Sequence, residues 1–184
     1  MKKVGRGDAG DSTKSISKAI LWSAAFHDAR WQTILQGRSP RGRGDGFSIT
    51  KASIAGLGGA SYSRDQIENW MGERTSAFYE ELIAKGRMTV CEHEGVVVGF
   101  VDAEPGEVTR LFILPEAAGV GLGRRLLKIG IAQARMGHSG PIRLEATINA
   151  EGFYQKCGFR SVGRGRFSHG LGGEPIEIVR MEFL

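Results

Sequence analysis

Thirty residues, 107–136, constrain the fold of this chain more than any other stretch: EVTRLFILPEAAGVGLGRRLLKIGIAQARM. The front of the segment is rich in β-formers, Val108, Leu111, Phe112, Ile113 and Leu114, and it stops at Pro115, which cannot donate to a strand ladder. Glycines then occupy the alternate positions Gly119, Gly121 and Gly123. Behind them Leu122, Leu126, Leu127, Ile129, Ile131 and Ala134 recur at the spacing of one broad helix face. A strand that turns through glycines into a helix aims several free backbone N–H groups, and the positive end of the helix dipole, at one point. Such a point suits an anion, most often a phosphate. Glycine belongs there because a Cβ would obstruct both the backbone angles and the approach of phosphate oxygens. Arg124 and Arg125 add charge that phosphate can use.

Two familiar phosphate loops do not match. The Walker loop follows its last glycine with Lys and then Ser or Thr, whereas Gly123 is followed by two arginines. The dinucleotide fingerprint G-x-G-x-x-G belongs after the first strand of a βαβ unit; here the glycine spacing differs and the turn lies past the middle of the chain. The segment instead resembles the acyl-coenzyme A loop of the GNAT superfamily of N-acetyltransferases, Gln/Arg-x-x-Gly-x-Gly/Ala after the fourth strand. Gly121 and Gly123 fall on the pattern glycines, and Ala118 stands where Gln or Arg is usual. A second block, residues 144–159, resembles the family's strand followed by Asn149-Ala150, then Phe153-Tyr154 near a helix start, then Gly158-Phe159. The resemblance covers roughly residues 50–184, with its sharp motifs inside 107–159.

The resemblance implies an α+β, single-domain GNAT fold whose mixed, mostly antiparallel sheet is splayed between strands 4 and 5 and flanked by helices. It implies acetyl transfer from acetyl-CoA to a primary amine by direct attack on the thioester, with acetyl-CoA as co-substrate and no metal. The pantetheine arm would lie along the main chain of Phe112, Ile113 and Leu114. The pyrophosphate would sit on the amides of Gly119, Val120, Gly121, Leu122, Gly123 and Arg124, with Phe153 on the same coenzyme side. Asn149 would bond a pantetheine amide, cap the short helix that follows, or do both. Tyr154 is the candidate general acid, since a phenol with a pKa of about 10 starts protonated; the alternative is a core tyrosine. Glu107 matches the family's glutamate base, against the alternative of a solvated glutamate after the Pro105-Gly106 turn. Tyr62 and His169 lie in loops that line acceptor pockets in such enzymes. The acceptor would be a small-molecule or peptide amine, the family's members acting on antibiotics, polyamines, amino acids, peptides and protein tails, frequently as homodimers. A non-catalytic acyl-CoA-binding or sensing module is the alternative, which has no need of Tyr154.

The rest of the chain agrees with one domain of 184 residues, enough to bury its own core. Two cysteines argue against a disulfide scaffold and for reduced thiols in the cytoplasm. No apolar run approaches the length of a membrane helix. The whole net charge of +5 falls within residues 1–50, which hold nine Lys/Arg and four Asp. That arm has acids in it and lacks the aromatic interleaving of a nucleic-acid binder. Residues 1–28 therefore read as a basic, poorly ordered extension, and residues 29–184 as the acyltransferase domain. A strand is expected over 31–36, a short helix over 45–56, and a helix from the Ser63–Gln66 capping box through Trp70 that continues helically over 77–85. Hairpin strands flank Glu94-Gly95. A fifth strand covers 142–146, a short helix 149–157, and a last antiparallel pair 160–167 and 176–183. In order, these elements read β-α-α-β-β-β-α-β-α-β-β.

Overall fold

Two strand patterns reveal how the molecule is layered. Residues Ile142–Thr147 alternate buried and exposed side chains, whereas Val96–Glu104 are buried almost throughout. The first pattern belongs to a strand with one covered face, the second to a strand covered on both. The computed structural model describes residues 32–35, 46–58, 61–72, 74–167 and 175–184. The basic extension expected over 1–28, and His169, lie outside them.

One seven-stranded sheet runs through the described residues in the order β1-β2-β3-β4-β5-β7-β6. Its strands are β1 (Gln32–Leu35), β2 (Met88–His93), β3 (Val96–Glu104), β4 (Glu107–Ile113), β5 (Ile142–Thr147), β6 (Arg160–Phe167) and β7 (Ile176–Phe183). All neighbours pair antiparallel except β4 and β5, which run parallel. The β2–β3 hairpin turns where expected, with Glu94 and Gly95 both at positive φ (51° and 78°), the twist that a two-residue hairpin requires.

Helix α4 (Leu122–Ala134) and the short α5 (Glu151–Gln155) cover one face of the sheet. On the other lie α1 (Gly46–Gly58), α2 (Arg64–Trp70) and α3 (Ser76–Ala84). Leu126, Leu127 and Val101 centre the first core; Ile49, Tyr79 and Phe100 centre the second. Gly130 brings α4 close to the sheet, since a Cβ there would stand 2.6 Å from Val101 Cγ2.

The sequence pattern joins 63–70 to 77–85 as one helical stretch, and the structure separates them into α2 and α3, giving three helices before β2 rather than two. The capping box forms as expected: Ser63 Oγ accepts from the Gln66 amide, and the Gln66 side chain accepts from the Ser63 amide. The break comes at Gly72, whose φ of 55° leaves the helical region, and Thr75 is extended before α3. The short helix expected over 149–157 begins with a 3₁₀ turn, Ile148–Ala150, and becomes α-helical only over Glu151–Gln155.

Candidate active site

Strands β4 and β5 pair at only one position, Glu107 with Arg143, with the Arg143 amide donating to Gly106 C=O beside it (2.9 Å). Past that point the two strands part. Antiparallel pairing makes alternate residues of β4 turn their N–H and C=O toward β3, and the Leu114 amide donates to Val98 C=O. The Phe112 carbonyl likewise faces β3, lying 3.0 Å from where a Cβ on Gly99 would stand. By alternation, Leu111 and Ile113 present their main-chain groups to the gap. Leu114 is committed elsewhere on both sides, because its carbonyl accepts from the Ala117 amide. The gap opens into a cavity of about 650 Å³ lined by Glu107 to Ile113 on one strand and Leu144 to Thr147 on the other.

Helix α4 starts at the mouth of this cleft. Gly119 and Gly121 have φ of 81° and 87°, and a Cβ at either would meet nothing within 4 Å, so conformation rather than crowding requires glycine there. Gly123 serves another purpose: a Cβ would come 3.4 Å from Phe153 Cζ, so this glycine lets α4 approach α5. Val120 is exposed, as is Arg124, while Leu122 and Gly123 are buried. The first amide to bond back along the helix is that of Arg125, to Gly121 C=O at 3.2 Å. The amides before it are the ones a helix start leaves to an outside acceptor. Two open left-handed glycines ahead of unpaired helix amides fit a diphosphate.

Tyr154 and Glu107 line the same cavity. The Tyr154 ring is fixed by edge-on contacts with Phe153 (5.0 Å between centroids) and Phe159 (5.9 Å). Burial pushes its phenol well above the ordinary value, which keeps it protonated. Burial also raises the Glu107 carboxyl, with Glu104 and Glu145 adding to the effect and Arg110 and Arg143 opposing it.

The other candidates fall at the rim. Asn149 also lines the cavity, with its amide donating to Leu57 C=O (2.8 Å) and so holding the end of α1 to the turn after β5. The Tyr62 hydroxyl is used twice, donating to Glu177 C=O (2.8 Å) and accepting from the Ile148 amide (3.0 Å). Its ring is buried beside Trp70, so Tyr62 braces the Trp70 side of the cavity rather than lining it.

Sequence reasoning missed the basic wall. Arg74, between α2 and α3, and Arg110, on β4, both line the cavity. Behind Arg110 sits Asp102, fully buried, accepting from Arg110 Nη1 and from the Thr109 hydroxyl. Arg87 reaches the same carboxylate (3.4 Å) and also Glu104 (2.8 Å). A bulge explains the cluster: β3 pairs Asp102 with Arg110 but Ala103 with Val108, which leaves Thr109 as the extra residue. An extra residue re-aims the side chains around it, and Thr109 and Arg110 both turn to Asp102. Among the described residues no group of His, Cys, Asp and Glu could hold a metal ion, and no helix is long and apolar enough to cross a membrane.

Residues 59–181 match the model of the acetyltransferase (GNAT) domain. Solved structures share the fold at low identity. A GCN5-related N-acetyltransferase from Rhodopseudomonas palustris superposes with a TM-score of 0.69 at 22% identity, over 83% of this chain and 97% of that one. The PaiA N-acetyltransferase from Thermoplasma acidophilum, in complex with coenzyme A, gives 0.63 at 19% identity, over 83% and 98%. YncA from Salmonella typhimurium, with its cofactor acetyl-CoA, gives 0.54 at 21%, over 84% and 94%.

Proposed function

Since the chain belongs to the GNAT acetyltransferase family, we propose that it transfers an acetyl group from acetyl-CoA to a primary amine. One observation carries the reading: a basic and an acidic partner for proton transfer, Glu107 and Tyr154, line one cavity bounded by the parted strands. Acetyl-CoA supplies an activated acyl carbon and a thiolate leaving group. The gap-facing main chain of Leu111 and Ile113 holds the pantetheine arm as an added strand would be held, and the amides at the start of α4 hold the diphosphate.

Glu107 takes the proton from the amine, which as an ammonium has no lone pair to attack with. Its raised carboxyl makes it a stronger base than a solvated glutamate. As the nitrogen bonds to the acyl carbon, a main-chain N–H of β4 stabilises the charge growing on the carbonyl oxygen. As the carbon–sulfur bond breaks, Tyr154 gives its proton to the sulfur and later regains one from solvent. A thiol titrates near 8.5, below a buried phenol, so proton transfer to the departing thiolate runs uphill, and Tyr154 assists first by hydrogen-bonding the sulfur as negative charge grows on it.

The test is Tyr154→Phe. Acetyl-CoA-dependent thiol release with an accepted amine should fall roughly 10²–10⁴-fold, with coenzyme affinity by titration near wild type. Unchanged turnover removes the general-acid role. Coenzyme binding without turnover of any amine by the wild type would instead mark a sensing module.

A further inference from the structure

The acceptor side of the cavity is divided by charge. Glu107 and Glu145 both line it, with Glu145 adding to the rise of the Glu107 carboxyl. Arg74 and Arg110 lie on the wall built by β4 and the α2–α3 junction. Arg110 is held firmly there. Its guanidinium carbon stands 5.1 Å over the Phe78 ring, its Nη1 bonds Asp102, and 23% of its side chain remains exposed. A guanidinium has five donors in a rigid fork, and among the described residues the hydrogen bonds of Arg110 all leave from Nη1. Arg74 approaches the same patch. Burial lowers its proton affinity most, the neighbouring Tyr79 phenol acts the other way, and the Arg110 charge adds the smallest effect, a further lowering.

Arg74 and Arg110 thus put two guanidinium groups on the lining of one cavity, and a carboxylate matches the fork geometry of each. From this we infer that the acceptor is a small aminocarboxylate: its carboxylate rests on Arg74 and Arg110, and its amino group faces Glu107. Asp102 is a positioning residue, setting the guanidinium of Arg110 through Nη1. Trp70, Phe167 and Ile176 complete the wall and leave apolar room for a modest side chain. The inference rests on the acyl-transfer reading and names its substrate class.

The experiment uses two product analogues, N-acetylglycine and N-acetylglycinamide, which differ only in the anion. Titrated against the full chain with Trp70 fluorescence or calorimetry, the acid should bind roughly tenfold to a hundredfold more tightly than the amide, as expected for charge-assisted hydrogen bonds. Arg74→Gln should erase the difference, and Arg74→Lys should restore part of it. In turnover, Arg74→Gln should raise KM for an amino acid acceptor with little change in kcat. Equal binding of the two analogues, no binding of either, or a preference that survives Arg74→Gln overturns the inference. If wild type acetylates uncharged-tail amines as well as amino acids, only the substrate class falls. If coenzyme A does not bind and no amine releases thiol, the transfer reading falls, and the analogue titrations still report on the arginines by themselves.

Discussion

The two halves of the cavity are made of different material. The half proposed for the coenzyme is main chain: a strand edge left open beyond Glu107 and a helix start reached through two left-handed glycines. The half proposed for the acceptor is side chain: Glu107, Arg74 and Arg110 over the buried Asp102. Backbone recognition needs only that nothing intrude, so it leaves its mark as glycines at fixed spacing within one short segment. Side-chain recognition needs charges brought together from segments far apart in the chain, and no local pattern records it. If the comparison is right, the two halves can be damaged separately.

Glu107→Gln is the largest blow to the acceptor half. Losing the base should cost about 10²–10⁴ in kcat/KM and leave coenzyme affinity intact. The raised carboxyl also sets the pH dependence. The acid limb of kcat/KM should lie above the ordinary carboxylate range in the wild type and vanish in the variant. The stability sign runs the other way. A carboxyl raised on folding binds its proton more tightly folded than unfolded, so ionising it detracts from stability as pH rises through that range. Glu107→Gln should therefore keep or increase Tm at pH 7 while having little effect well below pH 4. A marked loss of Tm at neutral pH would make Glu107 structural rather than catalytic.

Gly121→Val tests the coenzyme half. A β-branched residue at φ 87° is strained by about 1–3 kcal/mol, and its side chain would occupy the space that suits phosphate. Acetyl-CoA affinity should drop roughly tenfold to a hundredfold, while binding of N-acetylglycine, held by the arginines, should change little. Equal loss of both ligands would mean that the halves are not independent.

That division explains which features the sequence made legible. Gly119, Gly121 and the β-rich run before them announce the helix mouth because φ and strand chemistry are local. The Ser63–Gln66 cap and the Glu94-Gly95 hairpin were readable for the same reason. Gly123 looked like a third phosphate glycine, yet it borders Phe153 from a different block, a packing demand visible only in three dimensions. Thr109 carries no bulge signature, so nothing in the strand pattern foretold that Arg110 would turn with it onto Asp102. Asp102 itself reads as an ordinary polar residue in a strand. Arg74 stands in a break that the helical pattern of 63–85 concealed.

Tyr62 is where the comparison can be sharpened most finely, because it belongs to neither half. Its hydroxyl ties the Ile148 amide, just past the end of β5, to the Glu177 carbonyl, while its ring packs on Trp70 of the cavity wall. Tyr62→Phe keeps the ring and removes both bonds, leaving two partly buried backbone groups without that partner. Each such loss costs about 1 kcal/mol, so Tm should fall by roughly 4–8 °C for a domain of this size. With the halves built separately and merely braced together, coenzyme affinity should stay within about twofold. The acceptor KM should rise modestly as Trp70 loosens. A coenzyme affinity that fell in step with Tm would show Tyr62 to be part of the cleft rather than its brace. The backbone half would then depend on a side chain from the far wall.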